Sequence, residues 1–365
     1  MTSILILQNE IKAYRKSLYN LLADDYEVVV VHSGRQSVLV GDRYREVITP
    51  KQLCWRFYLQ PKLALGNMID DFDVVIAMFD LSWPAYLAPL FWRKRAKYIL
   101  WGHWYTTSSV VNFLRNYLMK KADRLLMYGG EEVERMIMSG IDRHKIVVAP
   151  NTVYISNSRD YSSEPKSSLI FIGRLQAGSR RNSKRADILI DSFARLQGLI
   201  QDNIVLDIVG SGEEEDSLNE LAAKLHVSDK VHFHGHIDEG EKLSQLFSKS
   251  IALVSPGHVG LSVLQSFAYG VPVVTGKAVR YRLETQHLYN VLTENKVIMG
   301  PEYYNLRHNI NALLVESRYE LTTMLQKLCN DPAYAEELGS NAYHHYVEER
   351  PLSLMLHGFR KVIEE

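Results

Sequence analysis

Two cations, Arg174 and Lys184, offer the clearest chemistry in this 365-residue chain. Gly173-Arg174-Leu175 closes an apolar run that reads as a strand, and Lys184-x-x-Asp187 opens the helical stretch behind it. Arg presents a planar fork of donors and Lys a compact charge. Beside the amides of a helix N-terminus, the pair suits a diphosphate. The competing reading is a solvated basic loop, since Arg180, Arg181 and Arg185 lie close by. A second element runs Ser255-Pro256-Gly257-His258-Val259-Gly260-Leu261-Ser262 into a helical stretch that ends at Gly270 and Pro272. It reads as a strand, a glycine-containing turn, a helix, a glycine C-cap and a new strand. Gly257 and Gly260 would let backbone amides approach an anion there. His103 follows Trp101-Gly102 at the end of a strand-like run. The chain has 13 histidines, so place rather than residue type makes His103 a candidate, as a hydrogen-bonding group more than a base. His32 and His258 are weaker candidates.

These residues need a frame. Short apolar, β-branched runs recur at 4–7, 28–32, 74–78, 98–103, 125–128 and 145–149, and again at 169–173, 205–210, 231–235, 251–255, 271–275, 296–299 and 312–315. Runs of this length alternating with helical stretches predict parallel strands buried on both faces. The fold class is therefore α/β, with two doubly wound Rossmann-like domains facing a central cleft, and ligands expected at the strand carboxyl ends. The break falls after Pro150-Asn151, where SNSRDYSSEPKSS has linker composition. The expected organisation is an N-terminal acceptor-binding domain over 1–155 and a linker over 156–168. A C-terminal domain over 169–335 follows, then C-terminal helices over 336–365 that pack back on the N-terminal domain.

Composition narrows the classes. Acidic and basic residues balance at 42 each, so no overall field favours nucleic acid. Cys54 and Cys329 stand far apart without a C-x-x-C pattern, which argues against a disulfide framework or a structural zinc site. The N-terminal apolar run lacks signal-peptide features, and no stretch reaches the ~20 apolar residues of a membrane span. The expected location is cytoplasmic, peripheral on the inner face of the membrane. Between Leu87 and Arg124 the bases Arg93, Lys94, Arg95, Lys97, Arg115, Lys120, Lys121 and Arg124 face one acid, Asp123. Phe91, Trp92, Trp104, Tyr105, Phe113 and Tyr117 are interleaved, which suits an anionic membrane surface. A solvated helix with core aromatics is the plain alternative.

Taken in order, G-R-L…K-x-x-D-x-L-I-x-x-F, L-x-I-V-G-S-G-x-E, V-x-F-x-G-x-I and S-P-x-x-x-G-L-S-x-L-Q-S-F-A-Y-G-V-P-V-V resemble family 4 of the retaining glycosyltransferases. The resemblance covers about 150 residues closely, and implies the GT-B fold. It also implies a metal-independent, hexosyltransferase-like activity that moves a sugar from a nucleotide-diphosphate sugar to a saccharide or lipid-linked acceptor, as in cell-surface polysaccharide synthesis. It implies that Arg174 and Lys184 hold the donor diphosphate beside Gly173, and that His103 points at the donor sugar. Gly210, Gly212, Glu213, His236 and Ile237 would flank the nucleoside. Gly257, His258, Val259, Gly260 and Leu261 would face the phosphates and sugar. No metal ligand set, cofactor or nucleic-acid partner is implied.

Two departures stand out. The family's paired glutamates fall on Gly257 and Gln265, and the loop Gln176–Ser183 is longer than usual. Gln265 keeps an amide able to bond a ribose. Tyr14 and Arg15 occupy the place of the usual N-terminal glycine-rich loop, where they could meet acceptor or phosphate. Two other readings remain: a non-catalytic GT-B partner subunit, favoured by the missing carboxylates, and a nucleotide-sugar epimerase.

Overall fold

The computed structural model describes residues 1–365 except 61–67, 104–105, 107, 156–164, 181, 238–239, 281–287 and 294–296. The chain divides into two compact units, Met1–Tyr154 with Arg350–Glu365, and Ile155–Glu349. Trp104, Tyr105, Arg181 and most of the expected linker lie outside the described residues.

The first unit is built on β1 (Ser3–Leu7), β2 (Glu27–His32), β3 (Arg45–Ile48), β6 (Val74–Met78), β7 (Lys97–Gly102), β8 (Arg124–Met127) and β9 (Ile146–Val148). Their order is β3-β2-β1-β6-β7-β8-β9, all parallel. A small antiparallel hairpin, β4 (Gln52–Cys54) and β5 (Phe57–Leu59), stands apart. Ile4 to Leu7 are fully buried, because parallel strands covered on both faces need apolar side chains in both directions. β3 was not legible in the sequence: only half of Arg-Glu-Val-Ile is apolar, as an edge strand permits.

The second unit contains β10 (Ser168–Ile172), β11 (Val205–Val209), β12 (Val231–Phe233), β13 (Ser250–Ser255), β14 (Val273–Gly276) and β17 (Ala312–Val315). The order β12-β11-β10-β13-β14-β17 is again parallel throughout, so each sheet reverses direction beside its first strand. A short ribbon of β15 (Ala278–Val279) and β16 (Tyr289–Asn290) is inserted after β14. The strand expected at 296–299 is not formed. Ile298 makes only an isolated bridge to Tyr289, and Lys296 lies outside the described residues.

The C-terminal helices divide between the units, correcting the boundary expected at 335. The Pro332–Glu349 helix stays in the second unit, against the Ser262–Ala268 helix. The Leu352–Glu364 helix belongs to the first. There Met355, Leu356, Phe359, Val362 and Ile363 join a cluster with Ile4, Ile6, Val28 and Val30. Each such side chain contributes about 1.5–3 kcal/mol by leaving water, so this helix is part of the first unit's core. Among the described residues, no helix is long and apolar enough to cross a membrane.

Candidate functional site

In the second unit the sheet reverses between β10 and β13, where an open α/β sheet leaves room for a ligand. The loops after these two strands carry most of the candidate residues. They are joined by backbone hydrogen bonds: Gly257 N–H donates to the Lys184 carbonyl (3.0 Å) and His258 N–H to the Ser183 carbonyl (2.9 Å). A β-carbon at Gly257 would collide with the Ser183 carbonyl oxygen. The glycine is therefore required by the neighbouring loop. The Gly257 amide, offered in the sequence to an anion together with that of Gly260, is thus engaged with the neighbouring loop, as is the His258 amide.

Lys184 lies at the centre. Its aliphatic stem crosses Gly173, where a β-carbon would overlap it, and Nζ donates to Ser262 Oγ at 2.9 Å. Lys184 keeps some accessible surface, yet protein atoms crowd it closely. This desolvation lowers its pKa to about 8, opposed by the Glu302 carboxylate. Arg185 follows in a left-handed conformation (φ 61°, ψ 54°), a strained setting for a residue with a β-carbon. Its guanidinium is tied to Asp187 at 2.9 and 2.7 Å, in the first turn of the Ala186–Arg195 helix.

Arg174 is exposed, and among the described residues it has no hydrogen bond or ion pair. Together with Arg185, Asp187 and Glu214 it lines a small pocket open to solvent. The other expected cation of this loop is engaged: Arg180 forms a two-pronged pair with Glu213 at 2.8 and 3.0 Å. That pairing takes up the Glu213 carboxylate, which the sequence reading placed beside the nucleoside, and holds it below the usual carboxylate range.

Gly210 and Gly212 also have structural work. β-Carbons at these positions would strike the carbonyl oxygens of Gly173 and Leu175, so the loops after β10 and β11 run backbone to backbone. Gly210 N–H donates to the Gly235 carbonyl (2.8 Å), which fixes the start of the His236-Ile237 loop. Val259, Gly260 and Leu261 lead into the Ser262–Ala268 helix, and Gln265 lies half-buried within it.

His258 is held by two bonds besides that of its amide to Ser183. Its Nδ1 donates to the Ile298 carbonyl at 2.6 Å, and its own carbonyl accepts from Ser255 Oγ at 2.8 Å. Desolvation lowers its pKa, the Ile298 bond opposes this, and the Lys184 charge adds to the lowering. The ring is thus neutral, with Nε2 left as the acceptor nitrogen.

Sequence reasoning missed two residues here. Asn290, from β16, donates to the carbonyls of Pro256 (2.7 Å) and Gly257 (3.0 Å) and holds the turn from behind. Glu302, in the short helix Pro301–Asn305, is buried with Oε2 close to Gly300. Its charge acts on Lys184 from a distant part of the chain. No local spacing could have revealed it.

In the first unit, His103 follows β7 and its ring meets Tyr128 edge-on, with centroids 4.7 Å apart. It retains accessible surface although protein crowds its other sides. Desolvation, then the charges of Arg115 and Arg15, push its pKa down to about 4, so it is neutral near pH 7. Arg15 is buried rather than presented to a ligand. It bonds Asn151 and lies over the Trp101 and Tyr128 rings, 5.0 and 5.3 Å from their centroids. Arg115, counted among the surface bases, is buried too, over Phe79 and bonded to its carbonyl. Arg93 pairs with Asp123 at 2.7 Å. Lys94, Arg95, Lys120 and Lys121 remain exposed. On the Ser109–Lys121 helix, Val110, Phe113, Leu114 and Tyr117 form an exposed apolar stripe at helical spacing, with Phe91 against Tyr117.

Two doubly wound parallel sheets of this kind are the GT-B fold. HepE from Anabaena, solved in complex with UDP, superposes over the whole of both chains with a TM-score of 0.71 at 15% identity, a likeness of fold. Residues 159–298, within the second unit, match the family model "Glycosyl transferases group 1". The lipopolysaccharide core biosynthesis glycosyltransferase LpsE of Rhizobium meliloti is 36% identical over 92 residues, 25% of each protein. A D-inositol 3-phosphate glycosyltransferase of Streptomyces bingchenggensis is 26% identical over 249 residues, covering 61% of this chain and 49% of that protein. The matched stretches thus span about a quarter and about half of these two relatives.

Proposed function

We propose that this protein is a retaining glycosyltransferase that moves a sugar from a nucleotide-diphosphate donor to a hydroxyl of a saccharide or lipid-linked acceptor. The observation that carries this reading is that the uncommitted Arg174 guanidinium and the crowded Lys184 ammonium both stand on the loop after β10, where the second sheet reverses. The relatives, a lipopolysaccharide core biosynthesis glycosyltransferase and a D-inositol 3-phosphate glycosyltransferase, agree with a saccharide or lipid-linked acceptor.

The difficult event is departure of the nucleoside diphosphate as positive charge develops at the anomeric carbon. Arg174 and Lys184 stabilise the leaving phosphates, and a preorganised cation is worth more in a crowded site than in water. With that charge met by side chains, we read the reaction as metal-independent. Neutral His258 accepts a hydrogen bond from a donor hydroxyl through Nε2, and Glu302 orients Lys184 and the sugar in place of the absent glutamate at Gly257. In the first unit, His103 at the end of β7 is the candidate to hydrogen-bond a sugar hydroxyl as a neutral imidazole. Retention follows from a front-face route in which the leaving phosphate takes the acceptor proton, since no nucleophilic side chain is assigned.

The exposed stripe of Val110, Phe113, Leu114 and Tyr117, flanked by Lys120, Lys121, Lys94 and Arg95, suits contact with an anionic membrane on the cytoplasmic side. Anionic vesicles should then retain the protein better than neutral ones, and Phe113→Ser should abolish the difference. The decisive experiment is a thermal-shift screen against nucleotide sugars, followed by product analysis. One donor should raise the melting temperature in the wild type and fail to do so in Arg174→Ala. A silent panel would support the non-catalytic reading.

A further inference from the structure

Away from the loops described above, Asp207 of β11 and His232 and His234 around β12 converge on one face of the second sheet. Their alternate neighbours Leu206, Ile208 and Val231 belong to the main apolar cluster, so the three polar side chains stand on the opposite face. The strand register pairs Asp207 with His232 directly, and His234 N–H donates to the Ile208 carbonyl at 2.9 Å. His234 Nε2 lies 2.7 Å from Asp207 Oδ1, and His232 Nδ1 lies 3.6 Å from the same oxygen. The three candidate ligand atoms fall within 4.8 Å of one another. Asp207 is buried while His232 is exposed, so the cluster opens to solvent on one side.

A hydrogen bond from His234 to a buried carboxylate accounts for two of these residues. It does not account for the second imidazole, which approaches the same oxygen at a distance too long for a hydrogen bond. We propose that Asp207, His232 and His234 form a binding site for a borderline divalent transition-metal ion of the zinc, cobalt or nickel class. Imidazole nitrogens favour these ions, whereas calcium and magnesium take oxygen ligands. Bonds of ~2.0–2.2 Å put neighbouring ligand atoms roughly 3–4 Å apart, so the 2.7 Å His234–Asp207 pair must open slightly and the imidazoles adjust around the ion. The ion takes the place of the proton shared between His234 Nε2 and Asp207, and water fills the remaining positions.

Such an ion ties the edge strand β12, which pairs only with β11, to the body of the sheet. It also stiffens the chain entering Gly235, whose carbonyl receives the Gly210 amide. The site is independent of the sugar-transfer reading, and its failure would leave that reading intact.

The test uses the full, untagged chain stripped with chelator. Titration with Zn²⁺ followed by calorimetry, and with Co²⁺ followed by visible absorption, should show one saturable site with ligand-field bands. Zinc should also raise the melting temperature. His232→Ala changes an exposed side chain and should weaken zinc binding about tenfold or more. His144→Ala should leave it unchanged. Asp207→Asn, checked for folding by near-ultraviolet circular dichroism, should behave like His232→Ala. Absence of a saturable site in the micromolar range, or equal binding by wild type and His232→Ala, overturns the proposal.

Discussion

The two sheets share one strand order apart from the extra edge strand β9 of the first, but they use their cations in opposite ways. In the first unit, Arg15 and Arg115 are buried against aromatic rings and bonded to Asn151 and the Phe79 carbonyl. Their charges are spent on the unit's own structure and on keeping His103 neutral. In the second unit, Arg180 and Arg185 are paired with Glu213 and Asp187, but Arg174 is uncommitted and Lys184 has only the Ser262 hydroxyl at hydrogen-bond distance among the described residues. The same topology thus yields one carboxyl edge that presents a neutral ring and another that presents positive charge. A doubly wound sheet provides the location of a site, and the pairing of its loop cations decides what ligand the site takes.

The largest expected effect tests the clamp. Arg174→Ala and Lys184→Ala should each weaken nucleotide-sugar binding by on the order of 1.5–3 kcal/mol, as for charge-assisted bonds. Arg15→Met should instead lower stability and leave donor affinity close to wild type. Calorimetry and urea unfolding on the same three variants separate the two outcomes, and equal loss of donor affinity in all three would end the contrast between the units. Next is Gly257, where Gly257→Ala forces a β-carbon against the Ser183 carbonyl. We expect about 1–3 kcal/mol of lost stability, the usual range for overpacking. Shortening the 176–183 loop in a Gly257→Glu background should recover part of that loss, because the long loop and a larger side chain compete for one space.

The smallest effect concerns pH. Lys184 has its pKa lowered to about 8, so it is charged at pH 7 and loses its proton as pH rises through that value. A bound diphosphate favours the charged form. Donor affinity should therefore fall above pH 8 by up to about tenfold per unit, as one-proton linkage requires. In Lys184→Arg the decline should vanish, since guanidinium stays charged. With its pKa near 4, His103 should contribute no pH dependence between pH 5 and 8. A flat wild-type profile from pH 7 to 9 would show that Lys184 carries no part of the donor charge.

Much of the architecture was legible in residue order. Apolar runs such as Ile4–Leu7 and Ile251–Ser255 mark strands buried on both faces, and their alternation with helical stretches implies two doubly wound sheets. The same pattern missed β3, where an edge position relaxes the need for apolar residues, and overread 296–299, where Val297 and Met299 are buried without forming a strand. Arg174, Lys184 and His103 were visible because they end strands or open helices, positions that sequence encodes locally. Tertiary contacts decided the rest. Gly257 reads in sequence as a missing glutamate, but the structure shows a glycine required by the enlarged loop beside it. Glu302, Asn290 and the Asp207–His232–His234 cluster depend on strands and turns distant in sequence coming side by side. Residue type and spacing therefore determined where charge enters the site. Only the fold decided which charges were already paired, because pairing depends on distances that the linear order does not contain.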